Sequence, residues 1–76
     1  MAIKVYSTPT CPYCLRLKKY LSDEGVSFDN IDVASDEPGL REMVNVSGQM
    51  GVPVVVIDGE VIVGFDQAKI AQKLGI

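Results

Sequence analysis

The chain contains no histidine, no tryptophan and only two cysteines among its 76 residues. A closed tetrahedral zinc site needs four nitrogen or sulfur ligands, so none is expected within one chain. Neither a Ser-His-Asp nor a Cys-His nucleophile can be assembled without an imidazole. Long apolar runs are missing as well: the longest, Gly51 to Ile57, is seven residues, whereas a membrane helix takes about 20. The opening Met1-Ala2-Ile3-Lys4-Val5 has neither the basic n-region nor the long apolar h-region of a secretory signal. A cytoplasmic address with no membrane partner is therefore expected.

Positive charge is scarce and unevenly placed. The net charge is −3, built from +4 over residues 1–22, −8 over residues 23–60 and +1 over residues 61–76. No basic cluster is interleaved with aromatics, so nucleic acid is a poor partner. Lys4, Arg16, Lys18 and Lys19 make up the one positive region, and it flanks both cysteines. Those four cations either bias the thiols or simply solvate one helix face. At this length there is room for one core, and with 47% apolar residues the expectation is a single soluble domain spanning 1–76.

Ile3, Val5 and Tyr6 suggest a short strand closed by the turn-forming run Ser7-Thr8-Pro9-Thr10. Cys14, Leu17, Tyr20 and Leu21 then recur at helical spacing, predicting a helix from about Pro12 to Glu24 that Gly25 ends. Val26, Phe28 and Ile31 suggest a second strand leading to Val33. Ser35-Asp36-Glu37-Pro38 opens a second helix carrying Leu40, Met43 and Val44, which runs to Gly48. Val54-Val55-Val56-Ile57, Asp58-Gly59 and Glu60-Val61-Ile62-Val63 read as a hairpin. Ala68, Ile70, Ala71 and Leu74 mark a closing helix. The hairpin forces an antiparallel pair, while strands joined through a helix are parallel with a right-handed crossover. The fold class that satisfies both is α/β and thioredoxin-like, a four-stranded mixed sheet flanked by three helices.

Chemistry concentrates in Cys11-Pro12-Tyr13-Cys14. Cys11 falls at the N-cap of the first helix and Pro12 at its first turn, where a missing N–H costs nothing. The Cys11 sulfur should therefore face unpaired backbone N–H groups, with the amides of Tyr13 and Cys14 as donors to a thiolate. Cys14, one turn further on the apolar face, should be more buried and less ionised. That asymmetry suits an attacking Cys11 and a resolving Cys14. A purely structural disulfide would close a four-residue loop and tie no distant elements together. A shared metal half-site and a structural interaction module are the remaining readings of the pair.

The Cys-Pro-Tyr-Cys run resembles the active site of dithiol glutaredoxins, and the resemblance extends over the whole chain through Gly51-Val52-Pro53 and Gly64-Phe65-Asp66. It implies a thiol-disulfide oxidoreductase that reduces protein disulfides or mixed disulfides with glutathione. It also implies a cis Pro53 beside the cysteines, with the backbone of Val52 pairing with the substrate's peptide-like atoms. Phe65 and Asp66 are similar to the segment that holds the γ-glutamyl end of glutathione, and Tyr13 would border the thiol end. Asp66 is independently expected to cap the last helix. Three positions depart from the family pattern: Thr8 stands where a lysine is common, Gly51 where threonine is usual, and Gln49 at a second basic or amide position. The site residues implied are Cys11 and Cys14 for catalysis and Tyr13, Gln49, Val52, Pro53, Phe65 and Asp66 for glutathione or substrate.

No permanently bound cofactor is implied; glutathione is the expected reductant, disulfide-containing proteins are the expected clients, and the chain is expected to act as a monomer. Thr8 and the Val63-Gly64-Phe65 run also resemble the NrdH-like redoxins, which implies thioredoxin reductase as the other electron donor. A dimer carrying an iron–sulfur cluster on Cys11 thiolates is a further reading, which Pro12 makes less attractive.

Overall fold

The computed structural model describes residues 2–76. Its elements in chain order are β1 (Ile3–Ser7), α1 (Pro12–Asp23), β2 (Asp29–Asp32), α2 (Glu37–Ser47), β3 (Val54–Ile57), β4 (Glu60–Val63) and α3 (Gln67–Leu74). The sheet order is β2-β1-β3-β4. β1 and β2 are parallel, while β3 runs antiparallel to both β1 and β4. The mixed four-stranded sheet with three helices is thus the architecture expected from the sequence.

Alternation along the strands divides the core in two. Ile3 and Val5 of β1, Val55 and Ile57 of β3 and Ile62 of β4 point to one face, where Leu17 and Leu21 of α1 and Ile70 of α3 cover them. Tyr6 and Val54 point to the other, where Met43 of α2 and Val33 join them. Gly39 lets α2 approach: a Cβ there would fall 2.5 Å from the Ile31 side chain. The Tyr6 phenol is buried, and its hydroxyl donates to Glu42. Burial, followed by that carboxylate, raises the phenol's pKa. The hydroxyl in turn, followed by Lys4, holds Glu42 below the ordinary carboxylate range.

One boundary differs from the sequence expectation. Val26 and Phe28 precede β2 instead of belonging to it; both are half-buried against the α1 and α3 side of the core. Their apolar character serves packing by a segment outside the ladder, a use that alternation alone does not distinguish from a strand.

The positive region is also narrower than its place in the sequence suggests. Lys4 pairs with Glu42 at 3.2 Å and Lys19 with Asp23 at 2.8 Å. Arg16 lies over the Tyr13 ring, 5.6 Å from its centroid. Lys18 is the cation whose charge acts on Cys14.

Candidate active site

Register brings three separate segments to one end of the sheet. Tyr6 is paired with Val54, so the chain leaving β1 after Ser7 and the chain entering β3 through Pro53 lie together. The N–H of Gly64 donates to the carbonyl of Pro53 at 2.8 Å, which adds the Gly64-Phe65-Asp66 turn at the same edge. The Cys11–Cys14 run, the 49–53 loop and the start of α3 therefore surround one place, although at least 34 residues lie between the first and the others in the sequence.

The turn after β1 is closed by the N–H of Cys11 on the carbonyl of Thr8 at 3.4 Å. Cys11 itself has extended backbone and is the N-cap of α1, with Pro12 in the first turn. Its sulfur accepts the N–H of Cys14 at 3.2 Å. This is the capping bond that a serine or aspartate oxygen ordinarily makes, performed here by sulfur. The expected donation from Tyr13 is not formed, so a single amide holds the sulfur.

Both cysteines are free thiols, Cys11 partly exposed and Cys14 fully buried. Burial pushes the Cys14 thiol up from the ordinary 9.0 to about 11, and the adjacent Cys11 sulfur adds to the rise. The Thr8 backbone and the charge of Lys18 act in the opposite direction. The two sulfurs thus differ in access, although only Pro12 and Tyr13 separate them. Among the described residues, no group of three or more His, Cys, Asp or Glu side chains is arranged to hold a metal ion.

The surrounding residues fall into different roles. Tyr13 is 61% exposed beside the thiols. The Val52–Pro53 peptide bond is cis; Pro53 is buried, and Val52 packs its side chain on the α2 side of the core. The Phe65 ring rests against Tyr20, with centroids 5.9 Å apart, and packs on the α1 and α3 side of the core. Asp66 caps α3, accepting the N–H of Lys69 at 3.1 Å through one carboxylate oxygen.

Gln49 is not disposed as the sequence suggested. Its amide nitrogen donates to the carbonyl of Gly51 at 3.0 Å and to the Ser47 hydroxyl at 3.2 Å. Its amide oxygen accepts the N–H of Gly51 at 2.5 Å. Both donor hydrogens are spent on near neighbours, one on the Gly51 carbonyl and one on the Ser47 hydroxyl at the end of α2. The composition of the segment carried no signal of this.

The model of the Glutaredoxin family matches residues 3–62. The chain is 50% identical over 68 residues to an uncharacterised glutaredoxin-like 8.6 kDa protein in the rubredoxin operon of Clostridium pasteurianum, covering 90% of this chain and 91% of that one. It is 39% identical over 64 residues to glutaredoxin 3 of Escherichia coli K12, covering 84% and 77% respectively. Among solved structures, the thioredoxin-like protein BC3987 superposes with a TM-score of 0.89 at 35% identity, over 93% of this chain and 97% of that one. The glutaredoxin grx-1 of Archaeoglobus fulgidus gives a TM-score of 0.85 at 30% identity, over 97% and 87%. With the sheet order, the cis Pro53 and a dithiol at the head of α1 in common view, this chain belongs to the glutaredoxin family of thiol-disulfide oxidoreductases.

Proposed function

We propose that the chain reduces disulfides in client proteins and mixed disulfides with glutathione, with Cys11 attacking and Cys14 resolving. The observation that carries this reading is the asymmetry of the dithiol: one sulfur accessible and held by an amide, the other buried with its proton retained up to about pH 11.

The Cys11 thiolate attacks one sulfur of the substrate disulfide, whose S–S bond breaks as a Cys11–substrate disulfide forms. The departing thiolate takes a proton from water. Cys14 then loses its proton and attacks the Cys11 sulfur, forming the Cys11–Cys14 disulfide and releasing the second substrate thiol. The substrate gains two electrons and the protein loses two. Engaging Cys11 in the mixed disulfide removes its negative charge from beside Cys14, leaving the Thr8 backbone and Lys18 to favour the second thiolate. Cys14 is thereby held back until Cys11 has reacted. The electrons reside in the two thiols, so the cycle needs no permanently bound cofactor. Nothing in it requires a second chain, and we infer a monomer acting in the cytoplasm.

In this reading the main chain of Val52 next to Pro53 pairs with the peptide atoms of the substrate. Tyr13 borders the thiol end, and the second carboxylate oxygen of Asp66 takes an ammonium group beside the backbone of Phe65. The return of electrons has two candidate routes. Thr8 brings no charge to the site and Gln49 offers no free donor, which favours thioredoxin reductase over glutathione as the reductant. Turnover with NADPH and thioredoxin reductase, set against NADPH, glutathione and glutathione reductase, separates the two. Activity with neither system, using insulin or glutathione mixed disulfides as substrate, would defeat the proposal.

A further inference from the structure

We propose that Gln49 is a positioning residue for disulfide reduction, its side chain setting the backbone that enters the Val52–Pro53 bond. The inference deepens the function above and rests on the reading that the main chain of Val52 pairs with a peptide substrate.

The side-chain amide of Gln49 bonds both polar groups of the Gly51 peptide backbone, taking its N–H on oxygen and giving a proton to its carbonyl. That two-point contact imitates the peptide group of a neighbouring strand at a place where the ladder has not yet begun. Its orientation is fixed by the partners, since only the oxygen can accept from an N–H. The far end is anchored to α2. Ser47 accepts from the Gln49 nitrogen, and its hydroxyl donates to the carbonyl of Met43 at 2.6 Å while standing 3.0 Å from that of Gln49. A continuous chain of hydrogen bonds therefore runs from the last turn of α2 to the residue before Val52.

Gly51 is the matching half of the device. Its φ lies outside the left-handed region, so the backbone conformation does not demand glycine. The constraint is on Gln49 instead: a Cβ on residue 51 would fall 2.7 Å from the Gln49 side-chain oxygen, so that flexible side chain would have to leave its present place. The present placing of the Gln49 amide thus goes with glycine at 51, and a side chain there would displace the amide that shapes the loop. Gln49 acts through the main chain of Gly51 and Val52, not by touching substrate.

The test compares two substrates. Insulin presents peptide atoms beside its disulfides, whereas bis(2-hydroxyethyl) disulfide, reduced by the prereduced protein without glutathione, has none and exercises the Cys11–Cys14 pair without a peptide contact. Gln49→Ala is expected to raise KM for insulin about tenfold, with kcat within about twofold, and to leave turnover of the small disulfide within about twofold. Gln49→Glu keeps the acceptor for the Gly51 N–H but loses both donations, and should fall between wild type and alanine. Gly51→Ala should raise the insulin KM about tenfold alone but less than about twofold in the Gln49→Ala background, because the clash is gone. An unchanged insulin KM, an equal loss on both substrates, or additivity of the two substitutions would each overturn the inference. A wild-type protein inactive on both substrates would instead defeat the reading on which it rests.

Discussion

Two helix starts at the same end of the molecule use the same bond for different ends. At α1 the cap atom is the sulfur of Cys11, taking the N–H of Cys14; at α3 it is a carboxylate oxygen of Asp66, taking the N–H of Lys69. Both satisfy an amide three residues on, one of the donors that a helix leaves unpaired at its start. An oxygen cap is the stronger stabiliser, and α2 uses one too, through Asp36 on the N–H of Gly39 at 3.0 Å. In the proposed function the sulfur at α1 gives up part of that stability to place the attacking atom where the helix favours negative charge. A cap position becomes a reactive one when its atom can leave the amide and attack.

The sharpest way to break this comparison is Cys11→Ser. Serine caps well, so the free energy of unfolding from urea titration should stay within about 0.5 kcal/mol of wild type, while reduction of insulin and of glutathione mixed disulfides disappears. Retained activity would remove the nucleophile from α1. Cys14→Ser separates the two thiols next: insulin reduction should collapse while reduction of small glutathione mixed disulfides persists, because that route needs only one attack. Equal losses in both assays would erase the proposed division of labour.

A pH series tests the buried thiol directly. In the free dithiol the Cys14 pKa is raised to about 11, and burial, the largest cause, still raises it once Cys11 is engaged, so its thiolate fraction grows with pH through the neutral range. Resolution of a Cys11 mixed disulfide, followed by acid quench between pH 6 and 9, should accelerate as pH rises. A flat profile would show that Cys14 deprotonation does not limit the step. Asp66→Asn, which keeps an oxygen cap but removes the charge, should raise KM for a glutathione mixed disulfide about tenfold. An unchanged KM would return Asp66 to a capping role alone. The smallest effect belongs to Asp36→Ala, remote from the thiols: about 1 kcal/mol of stability lost with turnover unaltered, measured by denaturation and insulin assay on the same preparation.

Local signals made much of this fold legible. Pro12 behind an N-cap, the left-handed Gly48 ending α2 and the Asp58-Gly59 turn each act within a few residues, and each element stands where those signals put it. Interactions between distant segments were not legible. Val26 and Phe28 resemble strand residues until the core that receives them is known. Lys4 lies on the same basic stretch as Lys18, yet its partner Glu42 is 38 residues away and on another element. Gln49 looks like a free amide because nothing in the composition of its loop says that the side chain returns to Gly51.

The amino-acid order by itself determined the helices, the hairpin and a thiol pair at the head of α1, because caps, turns and periodicity are written in neighbouring residues. Tertiary structure alone decided which cations stay free and how deeply Cys14 is buried. Each of those depends on what the folded sheet brings alongside, and pairing across 30 or more residues leaves no trace in local chemistry.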